Sequence, residues 1–248
     1  MLVLFFQSMS SFKVNLVEVV NVIKYSGKVH VGALLTEVEY RLDVFIILYF
    51  LNAAAVGIYS IGAALAQISW YASNSVNNVL FPNLSSLDEK DKDVFTSKVT
   101  KYTLYSNILI VMSLVVFGYP LVSLLYGFSF IEAYYVFLIL SPGLLFDSVS
   151  RSLASWLKSS NKPMLLSKVS AISLILNIIL CLILIPDFGI YGAAISSSIS
   201  YILRMILLMI IFTNTSKLPV SDTFVMSKYE LIQVKNLLAN RILKIKKR

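Results

Sequence analysis

Four ionisable residues fall within seven positions of one otherwise apolar run: Glu37, Glu39, Arg41 and Asp43. On a helix, residues four apart share a face. Glu37 and Arg41 therefore form an ion pair, and Glu39 and Asp43 bring two carboxylates together. Two carboxylates on one face favour binding of a proton or a cation, because like charges resist joint ionisation. A second apolar run repeats the ion-pair spacing with Asp147 and Arg151, and a third carries Arg204. Polar Gln67, Asn74, Asn77 and Asn78 share a fourth run. Ionisable groups at bilayer depth mark function or pair with one another. Four charges on one helix exceed what packing requires, so this helix is expected to line a watery cavity. Arg204 is expected to anchor helices.

Conventional catalytic constellations are missing from the sequence. His30 is the single histidine and Cys181 the single cysteine, which leaves no His-based metal cluster or triad. His30 is read as a structural residue at a helix entrance and Cys181 as inert packing. No glycine-rich phosphate loop is present. The turns expected on the outer side are only a few residues long, too short to hold the chemistry of a membrane glycosyltransferase. These features point away from an enzyme, and no cofactor or metal is expected.

The elements that must position these residues are membrane helices. Of 248 residues, 58% are hydrophobic and only 14% charged, and mean hydropathy is +0.81. A soluble domain carries roughly 25% charged residues, and one core of this length could not bury so much apolar surface. The fold class is therefore all-α, a polytopic membrane protein. Charge-poor runs place six spans at Val29–Leu51, Val56–Leu80, Tyr102–Leu125, Ala133–Leu157, Met164–Ile185 and Tyr191–Thr213. Breakers agree with this division. Asn52 and Gly57 frame the first turn, Pro82 closes the second helix and Gly127 the third. Pro163 opens the fifth helix, and Pro186 with Gly189 separates the last two. Pro120 reads as a kink, and Pro142–Gly143 as a candidate hinge in the fourth helix. The small residues Gly192–Ala194, Ser196–Ser198 and Ser200 suit close helix packing.

Loop charges supply the orientation. Lys13, Lys24 and Lys28 precede the first span. Lys90, Lys92, Lys98 and Lys101 lie between the second and third, and Lys158 and Lys162 between the fourth and fifth. The intervening turns carry no Lys or Arg. This alternation is the positive-inside pattern of six helices with both ends in the cytoplasm. Residues 214–248 hold eight Lys/Arg and two Asp/Glu, so the tail carries most of the net charge of +8. A basic stretch beside a membrane helix is a topology signal and a binder of anionic lipid. No motif that reads nucleic acid accompanies it. Residues 1–27 are read as a cytoplasmic lead-in whose Met1–Phe6 resembles the end of a truncated helix, and 28–213 as the bundle. Residues 214–248 are read as a basic tail whose Lys228–Arg248 forms an amphipathic surface helix.

At this level the sequence resembles a known family. Tyr40-Arg41-Leu42-Asp43 followed by Val56-Gly57-Ile58-Tyr59-Ser60 is similar to the seventh-helix region of polysaccharide flippases. These belong to the multidrug/oligosaccharidyl-lipid/polysaccharide exporter superfamily. Leu80-Phe81-Pro82, Asn161-Lys162-Pro163, Asn177 and the run Pro186–Ala194 resemble later landmarks of that family, in order. The resemblance covers roughly residues 20–213. It implies one six-helix bundle of a two-bundle fold, the C-terminal half. It also implies the flipping of undecaprenyl-diphosphate-linked oligosaccharide across the bacterial cytoplasmic membrane, for O-antigen or capsule biosynthesis. By carry-over, Arg41 and then Arg151 contact the diphosphate; Gln67 and Asn74, read from their polarity as facing the same cavity, are the other substrate-binding candidates. Asp43, Glu39 and Asp147 are the ion-coupling candidates, for H⁺ or Na⁺. The implied partners are the lipid-linked substrate, the bilayer and a separate N-terminal six-helix half. A lipid II flippase, a cation-coupled multidrug antiporter of the same superfamily and a non-transporting remnant are the alternatives.

Overall fold

The computed structural model describes residues 16–225, and within them every regular element is helical. The long helices are α1 (Leu16–Phe50), α2 (Ala53–Ser85), α3 (Glu89–Tyr126), α4 (Glu132–Ser159) and α5 (Pro163–Ser216). A 3₁₀ turn, Phe128–Phe130, precedes α4, and a short α6 (Val220–Phe224) follows α5. The apolar segment Met1–Phe6 and the amphipathic segment Lys228–Arg248 lie outside the described residues.

A straight helix of 54 residues would be about 80 Å long, well over twice the hydrocarbon thickness. Helix α5 instead folds back on itself. Gly189 has φ 58° and ψ −136°, a conformation open to glycine alone, and it turns the chain there. Residues 163–188 and 190–216 then run antiparallel. Ser173 Oγ donates to the Ser200 carbonyl at 2.9 Å, and Asn177 Nδ2 to Ser197 Oγ at 3.3 Å. Gly192 lets the second arm press against the Leu184 carbonyl, where any Cβ would collide. Helices α2, α3, α4 and α5 are long and apolar enough to cross a membrane. Helix α1, at 35 residues, carries the four charges. With α5 counted as two arms, the bundle makes six passes.

Several local expectations meet their physical reason here. Asn52 caps α2 by accepting from the Ala55 amide at 2.9 Å, and the helix starts at once, so Gly57 lies inside it rather than in a turn. Gly127, at φ 86°, ends α3, and Pro163 occupies the first turn of α5. Pro82 does not close α2. The helix runs one further turn to Ser85, because side chains take up the last carbonyls: Ser85 Oγ donates to Phe81 O (3.0 Å) and Ser86 Oγ to Asn83 O (2.8 Å). Helix α4 is continuous through Pro142–Gly143. Gly143 serves close packing, since a Cβ there would fall 2.6 Å from Ser198 Cα.

Two apolar clusters hold the bundle. One, with Ile47, Tyr59, Val122, Phe137, Ile185 and Ile190, lies toward the lysine-free turns. The other, with Leu84, Leu104, Leu153, Trp156, Leu166 and Phe212, lies toward the lysine-rich loops, hereafter the basic end. At that end Trp156 Nε1 donates to Asp93 at 2.7 Å and Lys92 Nζ to the Ser159 carbonyl at 3.4 Å, tying α3 to α4.

Candidate functional site

Four helices contribute to a single polar layer, with pairs one turn apart on α2, α4 and α5 and adjacent residues on α1. Helix α1 supplies Glu39 and Tyr40, α4 supplies Asp147 and Arg151, and the second arm of α5 supplies Tyr201 and Arg204. Helix α2 supplies Trp70 and Asn74. At the centre, Arg204 is only 3% exposed and lies between two fully buried carboxylates, Glu39 at 2.8 Å and Asp147 at 2.5 Å. Asp147 accepts in addition from Arg151 Nε at 2.8 Å. Two arginines thus face two carboxylates, and the cluster is neutral as a set. Buried ions need such closure, because removing each from water costs several kcal/mol.

Tyr40 joins the two halves of this network. Its hydroxyl accepts from Arg151 and from Arg204, each at 2.9 Å, and donates to Asp147, 3.1 Å from either oxygen. The ring stacks as well. The Arg151 guanidinium lies 5.1 Å from the centre of Tyr40 and 4.8 Å from that of Trp70. Arg204 lies 5.0 Å from Tyr40 and 5.2 Å from Tyr201. Cation–π contacts of this kind strengthen as water is excluded.

On the basic side of this layer opens a cavity of about 1150 Å³ between α1, α2, α4 and α5. Arg151, 17% exposed, stands at its floor. Its guanidinium has five N–H groups. Three are engaged, by Asp147, by Asn74 Oδ1 at 2.8 Å and by Tyr40, which leaves one on each terminal nitrogen for a ligand. A pair of terminal N–H groups suits bidentate contact with phosphate oxygens.

The structure brings Asn74, Asp147 and Arg151 together at the cavity, with Glu39 bonded to Arg204 behind them. Arg41 stands elsewhere. It pairs with Glu37 at 2.7 Å, the two side chains being 73% and 58% exposed, and only Glu37 reaches the cavity wall. Gln67 is exposed on α2 and is not part of the cavity lining. Glu39 and Asp43 do not share a partner. Glu39 bonds to Arg204 and Ser173 (2.6 Å), whereas buried Asp43 accepts from the Tyr59 hydroxyl, from Ser197 Oγ at 3.2 Å and from the Val44 amide at 2.8 Å. Different residues claim the two carboxylates: both arms of the α5 hairpin bind Glu39, while Tyr59 of α2 and Ser197 of the second α5 arm bind Asp43. His30 lies well inside α1 and lines the cavity, exposed, rather than packing at a helix entrance. Cys181 is buried beside Asn177. Among the described residues no three His, Cys, Asp or Glu side chains form a metal-binding group.

Charge patterning alone does not single out Tyr40, Trp70 or Tyr201. A usable signal exists for Tyr40, which precedes Arg41 in the charged stretch. A phenol at bilayer depth requires a polar partner for its hydroxyl.

A six-pass helical bundle with a buried ion network flooring a central cavity defines a multi-pass membrane protein. The particular family follows from comparison: residues 13–248 match the family described as Lipid II flippase MurJ, and the chain belongs to it. A probable low-salt glycan biosynthesis flippase, Agl15, of Haloferax volcanii is 30% identical over 170 residues, 67% of this chain and 36% of that protein. The capsular polysaccharide biosynthesis protein CapF of Staphylococcus aureus is 31% identical over 154 residues, 60% of this chain and 39% of that protein. The chain thus spans less than two-fifths of the length of these curated relatives. No solved structure shows a significant match.

Proposed function

We propose that this chain is a transporter, or the C-terminal half of one, that flips undecaprenyl-diphosphate-linked oligosaccharide across the bacterial cytoplasmic membrane for surface polysaccharide. In this reading both termini are cytoplasmic, so the cavity opens to the side on which such a lipid is made. The observation that carries it is Arg151, held at the floor of a large cavity with two N–H groups unspent. A phosphate there gains charge-assisted bonds without breaking the Asp147 pair. Family membership supports the same class of cargo, as do two relatives named for glycan and capsule biosynthesis.

Arg41 is the second diphosphate contact. Its exposure on α1 suits a surface that faces a second six-helix bundle across a shared cavity, since an ion pair turned toward lipid would be costly. That bundle is a proposed partner. Asp43 is the proposed site of the coupled H⁺ or Na⁺, with Glu39 and Asp147 as further candidates.

The test is surface polysaccharide measured in cells that depend on the complete transporter. Arg151→Ala and Arg41→Ala should each lower export at least tenfold while the protein stays in the membrane. Undiminished export in both variants would sink the reading. Asp43→Asn should remove the dependence of export on the ion gradient, and a retained dependence would exclude Asp43.

A further inference from the structure

The cavity has a second, uncharged wall. Asn74, Asn77, Asn78 and Phe81 follow one another at helical spacing on α2 and all line it. The stripe starts at Arg151, which Asn74 touches, and runs toward the basic end. Asparagine is a poor helix former, and amides at membrane depth are expensive unless bonded. Three within five residues therefore need a reason.

Wetting the cavity does not supply one. The hydroxyls on the other walls do that while satisfying themselves. Thr36 donates to the Gly32 carbonyl (3.0 Å), Ser150 to Phe146 (3.3 Å) and Ser155 to Arg151 (3.2 Å). The amides of α2 behave differently. Asn77 is bonded to the Ser73 carbonyl and to Ser155. Asn74 spends its oxygen on Arg151 and keeps its NH₂ free, and the Asn78 side chain has no bond to any described residue. Free NH₂ donors and a free amide oxygen beside a partly exposed phenyl ring form a distinct chemistry. They match a ligand that is neutral, rich in hydroxyls acting as both donor and acceptor, and apolar on its C–H face. That ligand is a sugar ring.

We propose that Asn74, Asn78 and Phe81 form a carbohydrate subsite, which reads the first sugars of the lipid-linked glycan while the diphosphate sits at Arg151. The assignment rests on the transport reading above and divides its site into an anionic and a neutral part. The cavity volume of about 1150 Å³ exceeds the upper range of drug-sized pockets, so both parts can be filled at once. Asn78 and Phe81 are the specificity determinants, and Arg151 is indifferent to the sugar.

The experiment measures binding to the purified full chain in nanodiscs by native mass spectrometry. Three probes are used: undecaprenyl diphosphate, and the same lipid carrying one hexose or one N-acetylhexosamine. The wild type should bind at least one glycosylated lipid about tenfold more tightly than the bare one, the effect of two or so added hydrogen bonds. Asn78→Ala and Phe81→Leu should each erase that preference while leaving affinity for the bare lipid within twofold. Phe81→Tyr, which keeps the ring, should retain the preference, and Arg151→Ala should weaken all three probes together. Retained bare-lipid binding shows that a variant is folded. Equal wild-type affinity for all three probes overturns the subsite alone, as does a preference that survives both substitutions. Failure of the wild type to bind any probe overturns the transport reading and the subsite with it.

Discussion

The two ends of the bundle use the same helices in opposite ways. Toward the lysine-free turns, α2 and α4 touch through Gly62, where a Cβ would lie 2.6 Å from the Ala133 carbonyl. Further along α4, Gly143 meets Ser198 on α5. Toward the basic end α1 and α2 stand on either side of the cavity, and a Cβ at Gly27 on the α1 wall would meet nothing within 4 Å. The boundary is the layer of Tyr40, Arg151 and Arg204. Small residues build the closed half because helices associate in lipid through close backbone approach. In the open half, amides and hydroxyls punctuate a wall that is otherwise largely apolar. The lesson is that the ion network does two jobs from one position. It ties α1, α4 and α5 together beside the cavity, and it presents a guanidinium to the space between α1 and α2.

The strongest way to break this comparison is to cut the tie. Arg204→Ala leaves Glu39 buried with only Ser173 and gives the layer a net negative charge. Removing one partner of a buried pair typically costs about 3–5 kcal/mol, enough to lose most folded protein from the membrane. The double change Glu39→Gln with Arg204→Met restores neutrality, since Asp147 keeps Arg151, and should recover a large part of the loss. Fluorescence-detected size exclusion after a heat step checks both. A double variant no more stable than Arg204→Ala would show that shape at Arg204, rather than charge balance, holds the layer.

The next effect separates the halves directly. Gly143→Ala places a methyl against the Ser198 backbone, which cannot yield as a flexible side-chain end would, and overpacking of this kind costs roughly 1–3 kcal/mol. Gly27→Ala on the cavity wall meets open space and sits in a helix, where alanine is favoured over glycine by about 0.5–1 kcal/mol. The melting temperature should fall for the first and hold or rise slightly for the second. Equal losses would mean that the cavity half is packed as tightly as the other.

How much of this was legible in the sequence follows the range of the interactions. The six passes, the Gly127 and Gly189 breaks and the pairs Glu37–Arg41 and Asp147–Arg151 depend on residues near one another in the chain, and spacing alone reveals them. Pro82 misleads because local rules treat proline as a stop, while Ser85 and Ser86 supply the carbonyl partners that let the last turn close. The pairing of Glu39 with Arg204 spans 165 residues and has no local signature. Nor does the separation of Glu39 from Asp43, which share a helix face but are claimed by different neighbours. Tyr40 as the hub depends on three helices at once. Sequence therefore displays the ionisable inventory, and the bundle decides which members meet.

The smallest effect sharpens the contrast between the arginines of lowest and highest exposure among the described residues. Glu37–Arg41 and Glu39–Arg204 both join α1 carboxylates to guanidinium groups at 2.7–2.8 Å. Distance alone would rank them equal. Exposure does not, because water and mobile ions screen the first pair, and an exposed helical i,i+4 pair contributes about 0.3–0.5 kcal/mol. Glu37→Ala should therefore leave the melting temperature of the purified chain within about one degree of wild type, whereas Glu39→Ala, which strands Arg204 on one side, should lower it by several degrees. This comparison reads burial within the described helices themselves. A large loss from Glu37→Ala would show that the α1 face is already enclosed, by another copy of the chain or by bound lipid, and that the exposed ion pair is an interior one.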